Sequence, residues 1–114
     1  MQFEARQFKE YSEPVTAEEL SEGKTYFIVQ FVDDEMHVPV VEPIVYIGCN
    51  LMGEDVDEHY FQDAESYRDG IRFEDEVIPK GVCISAQHKN ALNHIFIFER
   101  ALEVLMGCSL RRAK

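Results

Sequence analysis

Residues 25–32, TYFIVQFV, constrain this chain more than any other stretch. Read as a strand, they put Phe27, Val29 and Phe31 on one face and Tyr26, Ile28 and Val32, with Gln30, on the other. A strand that is apolar on both faces must be covered on both, so it belongs inside a sheet rather than on a solvated flank. Residues 33–35, DDE, supply a hairpin turn. The returning segment, MHVPVV followed by PIVYIGC, is rich in β-formers but interrupted by Pro39 and Pro43. Proline cannot donate to a ladder, so the return strand should run along an edge, bend or bulge there.

Three shorter strands are expected after it: HYFQ (59–62), IRFE (71–74) and VCISA (82–86), the last two joined by a turn through IPKG. Between the first two, DAESYRDG reads as a single helical turn, capped by Asp63 and ended by Gly70. Near the start of the chain, Thr16 and Glu19 form a Thr-x-x-Glu capping box with Val15 and Leu20 at the staple positions and Gly23 as the stop. That signature predicts a helix of one to two turns. Over residues 91–106, Ala91, Ile95, Phe98, Leu102 and Leu105 recur at spacings of four and three, with Asn90 before them and Gly107 behind. The spacing predicts one long helix with those five on its core face. The competing reading makes HIFIF (94–98) a strand. The resulting class is α+β: about five short strands in a strongly bent antiparallel sheet or partial SH3-like barrel, a short N-terminal helix, and a long C-terminal helix packed on the sheet.

A chain of 114 residues fits one domain, residues 1–114, and buries enough surface for a core without staples. Its net charge of -11 opposes binding to nucleic-acid phosphates and to anionic membranes, so neither is expected as a partner. No apolar run approaches the ~20 residues of a membrane span. Cys49, Cys83 and Cys108 are odd in number and widely spaced, and the N-terminus lacks the apolar core of a signal peptide. Both features point to reduced thiols and a cytoplasmic protein.

Motifs of catalysis and ligand binding are sparse. DVDEHYFQDAES begins like a calcium loop at Asp55 and Asp57, but places Tyr60 where glycine must turn and Ser66 where a bidentate Glu must close. His37, His59, His88 and His94 lack zinc-ligand spacing. Cys83 and His88 are a conceivable nucleophile and base, yet a strand cysteine is more simply a small buried hydrophobe, and Cys49 reads the same way. No phosphate loop, nucleophile elbow or dinucleotide fingerprint is present. No catalytic residue, cofactor or metal ligand is therefore assigned.

What remains distinctive is charge. Residues 54–76 hold ten acidic and two basic side chains. Their simplest role is a solvated face. The sharper one is a docking surface for a basic protein or peptide, formed by Glu54, Asp55, Asp57 and Glu58 with Tyr60 and Tyr67 offering cation–π contact. Acidic, motif-free domains of this size include immunity-type and inhibitor proteins that meet cationic partners. A non-enzymatic interaction domain is the reading adopted; the alternative is a small-molecule-binding domain or small enzyme with a cavity between sheet and C-terminal helix. Beyond its core stripe that helix carries a second apolar line, Ile97, Ala101 and Val104, with Phe96 nearby and Arg100 at the line's end. An outward-facing line of this kind suggests a homodimer, unless the N-terminal segment with Phe3 and Phe8 covers it.

Overall fold

The computed structural model describes residues 13–113. The strand apolar on both faces forms as β1 (Thr25–Phe31) and lies between β2 (Pro39–Cys49) and β5 (Ile95–Phe96). With β3 (Glu58–Asp63) and β4 (Ile84–His88) these make one antiparallel five-stranded sheet in the order β4-β3-β2-β1-β5, not closed into a barrel. α1 (Ala64–Arg68) follows β3, and α2 (Phe98–Arg112) ends the described chain.

The prolines are accommodated by strand parity. Tyr46 donates its N–H to Lys24 O, so even-numbered residues of β2 aim their N–H groups at β1. The nitrogens of Pro43 and Pro39 therefore face away from β1. On that side the pairing with β3 stops at Ile44, so neither proline interrupts a ladder bond. The expected bulge lies further on, between Tyr46 and Gly48, where Gly48 takes φ +136°.

Cover on both faces follows from the register. Tyr26, Ile44, Tyr46, Phe61, Leu92 and Ile95 form the main core on one face, closed over by Val15, Ala17 and Leu20. Phe27, Val29 and Phe96 meet Ala101, Val104 and Leu105 of α2 on the other. Six residues connect β4 at one sheet edge to β5 at the opposite edge, including a 3-10 turn at Lys89–Ala91. Four strand spacings of about 4.8 Å leave so short a connection little slack, which curls the sheet around the main core.

Several expectations need correction. The helix over 91–106 begins only at Phe98 and continues through Gly107 to Arg112. Ile95 and Phe96 are strand, because pairing with Ile28 and Phe27 buries one side chain in each core, as alternation allows and a helical stripe does not. The competing strand reading of HIFIF was right for those two residues. Phe98 and Leu102, expected in the core, are exposed, and Ala101 and Cys108 are the buried residues of α2. Ala101 and Val104 thus face the sheet, Ile97 packs against the main core and Phe96 is buried, so the line read as outward faces inward. Residues 71–74 form no strand; 73 and 74 are a turn, and Phe73 packs on Tyr60 with ring centroids 6.1 Å apart. The N-terminal helix is a single 3-10 turn, Ala17–Glu19. Its capping box still operates: Thr16 N–H donates to the Glu19 carboxylate at 2.9 Å. That bond, with Arg100 Nη2 at 3.0 Å, holds the Glu19 carboxyl below the usual carboxylate range and ties α2 to the turn. Any cover by Phe3 and Phe8 falls outside the described residues.

Candidate functional site

The acidic block occupies two segments joined by β3. The first is the β2–β3 loop, residues 50–57. Asn50 and Asp57 adopt φ +52° and +57°, and Asn50 Oδ1 accepts the Glu58 N–H at 3.0 Å, which closes the loop. The second is the crossover from β3 to β4, residues 64–83. Gln62, fully buried, donates to Ser66 Oγ and Ile71 O at 2.8 and 2.9 Å and fastens the crossover onto its strand. Tyr60 joins the segments: its ring meets Phe73 of the crossover and its hydroxyl donates to Asp55 of the loop. That bond to a carboxylate, helped by burial, pushes the Tyr60 phenol up to about 12.

The carboxylates divide into two groups. Asp55 also accepts the Met52 N–H, Asp57 pairs with Lys89 at 3.2 Å, Asp63 caps α1, and Asp75 accepts the Arg72 N–H. These four shape the backbone. Glu54, Glu65, Asp69, Glu74 and Glu76 are exposed, and Glu58 is half-buried. The tyrosines do not lie open as the sequence suggested. Tyr60 is buried at 7 % exposure, and the face of Tyr67 already carries the Arg72 guanidinium 3.7 Å from its centroid. The residues expected at a dimer contact are likewise engaged within the chain; Arg100 bonds Glu19 and Pro14 O.

Two constellations escaped the sequence. Cys49 stands directly across the β2–β3 ladder from His59, whose Nδ1 lies 3.0 Å from the Tyr46 hydroxyl. Burial, then the neighbouring Cys49, raises the Tyr46 phenol to about 12. The pairing is set by the bulge and has no local signature. Asp33, Glu35 and His37 bring ligand atoms within 4.8 Å of one another at the β1–β2 turn. Asp33 is occupied there by the N–H groups of His37 and Val38, which lower its carboxyl below the ordinary range. Cys83 immediately precedes β4 and His88 ends it, about 16 Å apart at strand rise, and they form no pair.

An open groove of about 590 Å³ runs between residues 13–18 and 89–93, lined in part by Thr16, Lys89 and Asn93. It lies away from the interface of sheet and α2. Among the described residues no helix is long and apolar enough to cross a membrane. Comparison with protein-family models, with curated proteins and with solved structures finds no match.

The cysteines also depart from expectation. Cys49 and Cys83 are exposed and Cys108 is buried, its Sγ 3.5 Å from His37 O. A thiol reagent should label two cysteines of the native protein rapidly and the third only on unfolding. Equal labelling rates for all three would place Cys108 in solvent instead.

Proposed function

We propose that this is a non-enzymatic interaction domain whose acidic 54–76 face docks a basic protein or peptide, in the manner of immunity-type inhibitors. The observation that carries the reading is the division of labour among the carboxylates. Four are consumed in shaping the loop and crossover, yet five more are exposed on the same two segments. Of the two arginines in this block, Arg72 is turned onto Tyr67 and nearby carbonyls, which leaves Arg68 as the exposed one. Like charges held together on a rigid scaffold destabilise a fold slightly, and favour fast, salt-sensitive capture of a cation. The reading keeps a cytoplasmic location and a homodimer as its setting. It also takes the sheet as a partial SH3-like barrel, supported by the strand order and by the 3-10 turn between β4 and β5.

The test is a matched pair of charge reversals. A lysine- and arginine-rich extended peptide serves as probe, followed by fluorescence anisotropy across a salt series. Reversing Glu65, Asp69 and Glu74 to Lys should weaken binding at least about tenfold, or ~1.4 kcal/mol. Reversing Asp34, Glu35 and Glu42, also exposed but outside the block, should change it far less. Equal losses from the two sets would reduce the effect to net charge, and binding indifferent to salt would remove the electrostatic basis altogether.

A further inference from the structure

The two edges of the sheet differ. At β5 the edge is covered. Ile95 aims its N–H and C=O away from β1, and both are used: the N–H donates to Leu92 O at 3.1 Å and the carbonyl accepts the Val15 N–H at 2.8 Å. Pro14 stands beside that contact. At β4 the edge is open. Cys83 O accepts the Asp63 N–H and the Lys89 N–H donates to Asp57 O, so by alternation the odd-numbered residues of β4 bond β3. The N–H and C=O of Ile84 and Ala86, and the N–H of His88, therefore point out of the sheet. Among the described residues none of these five groups has a hydrogen-bond partner, and Ser85 and Ala86 are exposed. Edge strands are commonly blunted by a lysine, a proline or a bulge. The ISAQH strand has neither charge nor proline, and its register with β3 is unbroken.

Donors and acceptors on alternate residues, roughly 6.8 Å apart, form a pattern that an extended backbone matches and a helix or a small molecule does not. The surroundings select the charge of that backbone's side chains. β3 and β4 carry Glu58 and Asp63 and no lysine or arginine. Lys89, just beyond β4, is already paired with Asp57 at 3.2 Å. Glu58 stands across from His88, so a side chain added beside His88 shares a row with that carboxylate. Small Ala86 separates the edge from Tyr60 and its partner Asp55. A long cationic side chain laid across Ala86 extends toward both carboxylates while its own backbone pairs with the edge. We propose that an extended, lysine- or arginine-bearing segment of the partner adds to the five-stranded sheet along β4. The partner's charge rests on the acidic-face reading; the strand pairing adds how such a partner is held.

Amide exchange of the full chain tests the edge directly. Ile84 and Ala86 should exchange fast and Ser85 and Gln87 slowly, and the lysine- and arginine-rich peptide should then protect Ile84, Ala86 and His88. Slow exchange at Ala86 in the peptide-free protein overturns the proposal, because the edge is then covered by residues 1–12 or by a second copy, which sedimentation tells apart. Ala86→Pro tests the pairing. The ring removes an outward N–H and no bond to β3, so the fold should survive, and peptide binding should weaken at least about tenfold. Should the variant unfold, the same peptide methylated on its backbone nitrogens keeps every charge and cannot pair, and its binding to the wild type should fall as far. Losses on reversing Glu65, Asp69 and Glu74, with no effect of Ala86→Pro or of methylation, would keep the acidic face and overturn strand addition. A serine- and threonine-rich peptide that binds as tightly, and is blocked by Ala86→Pro, would overturn the partner's charge and the acidic-face reading while the edge remains the docking element. If neither peptide binds, both proposals fall.

Discussion

Phe61→Ala should cost about 3–5 kcal/mol, the range for truncating a buried aromatic, and should move the urea midpoint further than any surface substitution. Phe61 is 1 % exposed and lies in the main core, 6.5 Å from the Tyr26 ring and 5.5 Å from the Tyr46 ring. Removing it opens a cavity between β1, β2 and β3. A domain of this size is stable by only some 5–15 kcal/mol, so the variant approaches the threshold of folding. Phe98→Ala is the informative comparison. Phe98 is 57 % exposed and touches Phe27 at its edge, so its loss should cost under about 1 kcal/mol. Equal costs at the two positions would mean that Phe98 belongs to the core after all, as helical spacing over 91–106 suggested.

That contrast shows what was legible in the sequence. β1 was, since the run from Tyr26 to Val32, apolar at every position but Gln30, has few places to go. α1 was legible too, because Asp63 and Gly70 carry local chemistry that acts at short range. β5 was not: two residues are too few for alternation to register, and what makes them strand is pairing with Phe27 and Ile28, nearly seventy positions away. The same blindness displaced the core face of α2, because Ala91 and Ile95 completed a convincing stripe with residues that lie in another element. Residues 71–74 look like a strand in isolation but join no ladder, and Phe73 packs on Tyr60 instead. In the acidic block the total charge was plain, but which carboxylates shape turns depends on backbone N–H groups brought near by folding. Asp63 is the exception, recognisable as a cap from its place before AESYR.

Asp63 is therefore where the block's structural charge is best tested, and Asp63→Ala should destabilise the protein by about 2 kcal/mol, a lost helix cap plus a neglected donor. Its Oδ2 accepts the Ser66 N–H at 3.0 Å; its Oδ1 accepts the Ser66 hydroxyl at 2.7 Å and the Cys83 N–H at 2.8 Å. One side chain thus holds the start of α1 and the entry to β4, so both ends of the crossover depend on it. Partial burial pushes its carboxyl up, but the Cys83 and Ser66 hydrogen bonds outweigh that and leave it below the ordinary value. A carboxyl depressed in the folded state stabilises above its unfolded pKa, about 3.9 for Asp, and that contribution is lost as pH falls through the folded value. The wild type should accordingly lose stability below about pH 4 more steeply than the variant, and the two curves should converge in acid. Asp63→Asn keeps an acceptor for the Ser66 N–H and should recover much of the loss at neutral pH while falling less steeply in acid than the wild type. Curves that stay parallel down to low pH would show that the carboxylate's charge contributes nothing. The crossover would then be held by Gln62 and the Tyr60–Phe73 contact, with Asp63 serving only as a shape.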